Sequence, residues 1–198
     1  MSVVFGYIKD NKVYLAADNR LTDINGNYIS DDDIKIEVIN NYTAVAFAGN
    51  HGAQNFFLKN YKQFDNYKKW FVQDLTISIL GMCNSLIMMN QDWSNLISNS
   101  VATFLIAGKT SDNLIKLFAV TLKNSKIDCK EVPIMLFHPS DCEFKPCADI
   151  LTRNIQFHFN DFAYRTINEI SHISKMVSNT GNMWTYDLNI NESTFVKI

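Results

Sequence analysis

The chain has 198 residues, of which 47% are hydrophobic, so it is long and apolar enough to bury a core of its own as one domain over residues 1–198. Its 18 Lys and Arg side chains against 20 Asp and Glu side chains give a net charge of −2, which lacks the basic excess expected of a nucleic-acid-binding protein. No apolar run approaches the ~18 residues that span a bilayer and no signal peptide is recognisable, so we expect neither nucleic acid nor a membrane as a partner.

Four short strands are predicted in the first part of the chain. They contain Val3-Val4-Phe5, Val13-Tyr14-Leu15, residues 34–39 and residues 43–49, and turn signals separate them at Asp10-Asn11, Asn25-Gly26 and Asn40-Asn41. The first two strands are β-branched and aromatic with little helical periodicity, which favours a β-hairpin.

Two helices are predicted next, from apolar residues that recur on one face. The first face carries Phe57, Tyr61, Phe64 and Phe71, and the second carries Leu75, Ile79, Cys83, Leu86 and Ile87. The break between the two helices is expected near Asp65-Asn66. Because an aromatic stripe at helical spacing is usually buried, these faces are interpreted as packing surfaces against a sheet.

The remaining elements are predicted to be mostly strands and one clear helix. Three strand-like runs cover residues 101–108, 114–122 and 127–137, a short helix is expected within 148–160, an amphipathic helix runs from 159 to 177, and strands at 183–190 and 194–198 close the chain. This order predicts an α+β fold: a four-layer αββα sandwich, with helices on the outer faces of two packed antiparallel sheets.

Polar residues stand at the ends of the first four strands. Ser2 precedes the first strand, Asp18 and Arg20 end the second, Lys35 opens the third, and Gly49 ends the fourth. A serine that becomes the first residue when Met1 is removed carries both a nucleophile and a base, its own α-amino group. Because that amine has an ordinary pKa of ~7.7–8.0, part of it is neutral near pH 7 and can accept a proton.

Several motifs in this region resemble one known family in order and spacing. The motifs are Gly6-Tyr-Ile-Lys-Asp10, Leu15-Ala-Ala-Asp-Asn-Arg20, Lys35 before an alternating strand, Ala46-Phe-Ala-Gly49 and Gly52-Ala-Gln54. Together they resemble the proteasome β-subunit and its bacterial relative, the HslV-like peptidase, which are N-terminal nucleophile (Ntn) hydrolases. The resemblance is dense from Ser2 to Gln54 and agrees in element order beyond it, and the family fold is the same αββα sandwich.

The resemblance implies a role for each matching residue. It makes Ser2 the nucleophile, Lys35 the electrostatic activator, Asp18 the residue that orients Lys35, with Arg20 alongside, and the Gly49 N–H the oxyanion-hole donor. Positions that shape substrate specificity in the family fall on Leu21, Thr22, Asp33, Phe47 and His51. For His51, a loop histidine without a role is an equal alternative.

Toward the end of the chain the match is incomplete. Ser178, Thr180 and Gly181 fit the family's supporting residues, but Val177 stands where an aspartate is expected, and the family's mid-chain serine segment is replaced by His138-Pro139-Ser140-Asp141. Two functions therefore compete. One is an Ntn hydrolase that cleaves peptide or amide bonds inside a homo-oligomer, implied to be a ring fed by an ATPase partner. The other is a catalytically inactive scaffold or assembly subunit.

Metal and cofactor sites are not expected. A zinc site built from His138, Cys142, Cys147 and Cys129 matches no strong ligand spacing, and Asp31-Asp32-Asp33 is better interpreted as a solvated turn than as a cation site. Nucleotide-binding motifs of the GxGxxG or GxxxxGK[ST] type are absent from the sequence. The four cysteines form no CxxC pair, which predicts reduced thiols and a cytoplasmic protein.

Overall fold

The computed structural model describes residues 2–23, 25–89, 101–157 and 159–198. The strands within these ranges are β1 (Val4–Lys9), β2 (Lys12–Asp18), β3 (Leu21–Thr22), β4 (Tyr28–Ser30), β5 (Ile36–Asn40), β6 (Thr43–Gly49), β7 (Val101–Lys109), β8 (Ile115–Lys123), β9 (Lys126–Glu131), β10 (Ile134–Phe137), β11 (Gly181–Asp187) and β12 (Glu192–Lys197). The helices are α1 (His51–Asn60), α2 (Val72–Met89), α3 (Phe144–Asn154) and α4 (Phe159–Ser171). The predicted order of strands, helices, strands, helices and strands is confirmed.

Two five-stranded antiparallel sheets form the centre of the fold. The first has the order β10-β1-β2-β11-β12, the second has the order β5-β6-β7-β8-β9, and β3 and β4 make a separate small hairpin. The predicted hairpin of β1 and β2 is confirmed, with Tyr7 opposite Tyr14. Its turn places Asp10 and Asn11 at φ of 52° and 57°, the left-handed values that a tight hairpin turn requires.

Apolar side chains fill three separate cores. Leu15, Leu105 and Trp184 belong to the core between the two sheets. Another core lies between the second sheet and the helices α1 and α2, and a third lies between the first sheet and the helices α3 and α4. Successive residues of a strand point to opposite faces, so β2 sends Leu15 toward the other sheet and Ala16 toward the helices. The central strands of both sheets are therefore apolar on both faces.

The prediction of a single strand over residues 127–137 is wrong, because two strands, β9 and β10, cover this stretch. The chain leaves the second sheet after β9 and enters the first sheet as β10, which pairs with β1. Pro133 lies at the crossing and has no N–H to donate to a sheet, while its carbonyl accepts the N–H of Ile8 at 2.9 Å. The proline thus ends one strand and positions the next.

Two predicted helices are shorter in the structure. The first stops at Asn60, and two 3₁₀ turns at Tyr61–Gln63 and Tyr67–Lys69 follow it. The last stops at Ser171 rather than at residue 177, because Ser174 and Lys175 bond to Asp141 instead of continuing the helical turns. In the described part of the chain, no helix has the length and apolar character needed to cross a membrane.

The hairpin of β3 and β4 was not predicted as a pair of strands. Its loop is held by Asp23, whose carboxylate accepts the backbone N–H groups of Asn25 and Asn27 at 2.8 Å each. Gly26 has a φ of +82° in the same loop. The turn predicted at Asn25-Gly26 therefore lies where the sequence placed it. The strands on either side have only two and three residues, too few to show a detectable periodicity.

Candidate functional site

The side chains of Asp18 and Lys35 meet where β2 ends and β5 begins. Lys35 lies directly before β5, and its ammonium nitrogen Nζ contacts Asp18 Oδ1 at 3.1 Å, the Asp18 carbonyl oxygen at 2.8 Å and the Arg20 carbonyl oxygen at 2.7 Å. Lys35 is 3% exposed and Asp18 is fully buried. An ammonium group has three N–H donors, and these three acceptors match them.

Ser2 directly precedes a residue whose backbone binds this ion pair. It is buried and directly precedes Val3, whose N–H donates to Asp18 Oδ1 at 3.0 Å, the same oxygen that Lys35 contacts. In return, the Asp18 N–H donates to the Val3 carbonyl at 3.1 Å. The residue after Ser2 and the Lys35 ammonium thus share one carboxylate oxygen. Met1, whose removal is predicted, lies outside the described residues.

The Asp18 carboxylate is surrounded by donors. Its second oxygen, Oδ2, accepts the N–H of Arg20 at 2.9 Å and the N–H of Ser178 at 3.3 Å. Burial raises the pKa of Asp18, and the positive charge of Lys35 and these N–H groups oppose that rise. Burial also lowers the pKa of Lys35, and the Asp18 carboxylate opposes that fall. Four donors on one carboxylate and three acceptors on one ammonium favour the ionised pair.

The side chain of Arg20 points away from this ion pair. Its guanidinium binds both carboxylate oxygens of Asp31, at 2.8 and 2.9 Å, and donates to the Lys175 carbonyl at 2.9 Å. This bond to Arg20 lowers the pKa of Asp31. Arg20 therefore supports the site by clamping two loops, while its carbonyl oxygen binds Lys35. In the acidic turn at Asp31-Asp32-Asp33, Asp31 therefore forms an ion pair with Arg20.

The predicted supporting residues lie around Asp18. The Ser178 hydroxyl accepts the N–H of Asn19 at 3.1 Å and donates to the carbonyl of Thr180 at 2.7 Å. Gly181 is paired directly opposite Asp18 in the sheet, where an added Cβ would lie 2.5 Å from the Ala17 carbonyl oxygen. Val177 is buried in the core between the first sheet and α3 and α4, so an apolar side chain suits its position.

Two buried asparagines complete the site and were missed from the sequence. Asn182 donates from Nδ2 to Asn19 Oδ1 at 2.5 Å, and both side chains are buried. The carbonyl of Asn19 also accepts the N–H of Asp33 at 3.0 Å. Asn19 therefore links the end of β2 both to β11 and to the segment that carries Lys35. The sequence shows that Asn19 lies between Asp18 and Arg20, but its bonding partners are distant in sequence and could not be identified from it.

Gly49 lies at the end of β6, exposed, with a φ of +92°. A Cβ at this position would lie 1.8 Å from the carbonyl oxygen of Val101, so no other residue fits without moving the strand. Two residues earlier in β6, the Phe47 N–H donates to the Lys35 carbonyl at 2.8 Å. This bond ties the strand that carries Gly49 to Lys35, directly before β5.

Gly49→Ala is expected to destabilise the protein by roughly 2 kcal/mol or more, because the new methyl group meets both a positive φ and the Val101 carbonyl. Gly81→Ala is the matched control: it lies inside α2 with open space around it, and we expect about 0.5–1 kcal/mol of stabilisation. Urea unfolding of both variants measures these changes. Equal effects of the two substitutions would contradict the geometry of Gly49.

The predicted substrate-binding residues divide into two groups. Leu21, Thr22 and Asp33 are half-buried, and His51 is exposed as the first residue of α1. The exception is Phe47, which is 3% exposed and packs against the rings of Phe57 and Phe104 in the core beneath α1. Its side chain thus offers no accessible surface for a substrate, which corrects the expectation.

Cys129 lies apart from the other residues of the zinc alternative. Cys129 lies in β9, at the edge of the second sheet, whereas Cys147 belongs to the core that the first sheet forms with α3 and α4. His138 Nδ1 lies 2.9 Å from the Pro139 carbonyl and 3.1 Å from the Cys142 carbonyl. Among the residues that the structure describes, no group of three or more His, Cys, Asp or Glu side chains is arranged to hold a metal ion.

Comparison with known proteins supports the fold. No protein-family model matches the chain, and no curated protein matches its sequence. A similar solved structure is the crystal structure of eukaryotic HslV from Trypanosoma brucei, with a TM-score of 0.63 over 93% of this chain and 99% of that chain. The two sequences are 10% identical, so this likeness shows the fold alone. The mixed arrangement of sheets and helices is similar to that of HslV.

Proposed function

We propose that this protein is a proteasome-like Ntn hydrolase, folded as a single four-layer αββα domain, that cleaves peptide or amide bonds with Ser2 as nucleophile. The observation that carries the proposal is the buried pair of Lys35 and Asp18, whose shared oxygen also binds the N–H of the residue after Ser2. Burying two charges costs free energy that an apolar pair would not, so an ion pair placed beside a buried serine supports a chemical role.

In the proposed reaction, the neutral α-amine of Ser2 takes the proton of its own hydroxyl, and Oγ attacks the substrate carbonyl carbon. The Gly49 N–H donates to the oxyanion that forms. The C–N bond then breaks, the leaving amine takes the proton from the α-ammonium, and an ester on Ser2 remains until water hydrolyses it.

Lys35 contributes its charge in this mechanism. All three of its N–H donors have acceptors in Asp18 and Arg20, so it stays protonated and does not act as the base. Its positive charge stabilises the developing negative charge on Ser2 Oγ and disfavours the protonated α-amine. The base is therefore the amine of Ser2, which becomes available when Met1 is removed.

The proposal includes a setting for the enzyme. The resemblance to the proteasome family supports a peptide substrate, a homo-oligomer that forms a ring, and an ATPase partner that feeds it. The four cysteines, which form no CxxC pair, support a cytoplasmic location.

Val177 supports a second candidate function, that of an inactive scaffold or assembly subunit. The sequence resemblance expects an aspartate at this position near the nucleophile, and Val177 instead packs fully buried beneath α3 and α4. If that aspartate is indispensable, the fold is retained without catalysis. Turnover of peptide substrates by the chain that begins at Ser2 separates the two functions.

The pH dependence of hydrolysis tests the identity of the base. Fluorogenic peptidyl coumarin amides should be cleaved faster as pH rises, with half-maximal rate below ~7.7–8.0, because the Lys35 charge lowers the pKa of the α-amine. A rate that stays constant from about pH 6 to 9 would show that the amine is not the base.

A further inference from the structure

Two cysteines lie at the start of α3 in positions that bring their side chains together. The N-cap of this helix is Glu143, so Cys142 directly precedes the cap and Cys147 is the fourth residue of the helix. Side chains at these two positions pack against one another in a helix start known as the hydrophobic staple. Here Cys147 is fully buried, and the half-buried Cys142 packs against the same apolar cluster. Burial and, after it, the nearby Cys142 thiol raise the pKa of Cys147.

Cys142 also holds the segment that leads to the candidate site. Its Sγ donates to the Ile173 carbonyl at 3.1 Å. Next to it, Asp141 accepts the Ser174 hydroxyl at 2.6 Å and the Lys175 N–H at 2.9 Å. We call residues 173–178 the connecting segment, because it ends at Ser178, whose N–H binds Asp18. The loop before α3 therefore fixes one end of this segment and Asp18 fixes the other.

We propose that Cys142 and Cys147 form a reversible disulfide under oxidising conditions and that its formation loosens the connecting segment. When both sulfurs are joined, Cys142 has no S–H to donate to the Ile173 carbonyl. Its sulfur must also lie at bonding distance from Cys147, which is fixed in the core. The neighbouring bonds of Asp141 belong to the same loop and are strained by the same displacement.

With hydrogen peroxide as oxidant, the reaction has two steps. The Cys142 thiolate attacks one peroxide oxygen, the O–O bond breaks, and a sulfenic acid and hydroxide form. The Cys147 sulfur then attacks the Cys142 sulfur, the S–O bond breaks, and the disulfide and water remain. The two thiols lose two electrons to the peroxide in total. Burial raises the pKa of both thiols, that of Cys147 to about 12, so the more exposed Cys142 reacts first and oxidation is slow.

The test is to oxidise the reduced full-length protein with hydrogen peroxide, block free thiols with iodoacetamide, and digest it with an endopeptidase that cleaves after glutamate. Because Glu143 lies between the two cysteines, a disulfide appears as two peptides joined by one bond that dithiothreitol breaks. We expect this linked pair, while Cys83 and Cys129 carry the alkyl group or an oxidation product. Recovery of Cys142 and Cys147 only in separate peptides would overturn the proposal.

Hydrogen–deuterium exchange tests the effect on the connecting segment. Amides of residues 173–178 should exchange at least about threefold faster after oxidation, and recover after reduction. Cys142→Ser is the matched control, because it keeps an O–H donor at this position but cannot form the disulfide, so peroxide should leave exchange unchanged. A disulfide without faster exchange would disprove the coupling. Neither measurement depends on the proposed hydrolase activity, so failure of one proposal does not decide the other.

Discussion

Ser2→Ala is expected to abolish peptide hydrolysis, with a loss of about 10³-fold or more, because it removes the attacking oxygen and leaves no substitute nucleophile. The structure explains why the fold should survive. The Val3 N–H still donates to Asp18, and the Lys35 ammonium still donates to Asp18 and to the Arg20 carbonyl oxygen. Turnover of peptidyl coumarin amides and thermal unfolding measure the two effects on the same sample.

Ser2→Thr is the matched control for this substitution. Threonine keeps the hydroxyl and the α-amine, and it is the usual nucleophile in the family that the sequence resembles. We expect measurable activity in this variant after removal of Met1. Unchanged turnover in Ser2→Ala would exclude Ser2 as the nucleophile, whatever the result for Ser2→Thr.

Breaking the buried ion pair should have the largest effect on stability. Lys35→Met leaves the Asp18 carboxylate buried without its cation, and Asp18→Asn leaves the Lys35 ammonium without its anion. Each is expected to lower the free energy of unfolding by about 3–5 kcal/mol. Each should also abolish hydrolysis. Chemical denaturation measures the free energy of unfolding. Transition midpoints are compared only between variants whose free energy of unfolding falls with denaturant concentration at the same slope.

The double variant Asp18→Asn/Lys35→Met separates the cost of an unpaired charge from the loss of packing. Because it contains neither charge, it should be more stable than the less stable single variant, with an interaction free energy of about 1–3 kcal/mol. It should nevertheless remain inactive. Strictly additive losses would mean that the two side chains do not act as a pair, which would contradict the 3.1 Å contact between them.

The sequence predicts the parts of the fold that local patterns determine. The hairpin of β1 and β2 follows from β-branched residues and the Asp10-Asn11 turn, and α2 follows from the apolar face that contains Leu75 and Ile79. The pairing of Asp18 with Lys35 was predicted because both stand at strand ends within motifs that resemble one family. Each of these signals lies within a short stretch of chain.

The parts that could not be predicted depend on contacts between distant residues. Nothing near Pro133 indicates that β10 joins the opposite sheet, because its partner is β1, more than a hundred residues earlier. Likewise, Asn19 and Asn182 bond to each other across the sheet, and nothing in the sequence around either residue indicates that partner. The buried position of Phe47 depends on the rings of Phe57 and Phe104, which tertiary packing brings to it.

The central claim is that Ser2 is the nucleophile, activated beside Lys35 once its own amine is free. The most direct measurement is to treat the purified protein with a β-lactone, which acylates nucleophilic hydroxyls, and to record its intact mass and the labelled peptide. We predict a chain that begins at Ser2, carries one acyl group on that residue, and loses the label in Lys35→Met. A chain that begins at Ser2 in the same spectrum and carries no acyl group there would contradict the account and favour the inactive scaffold.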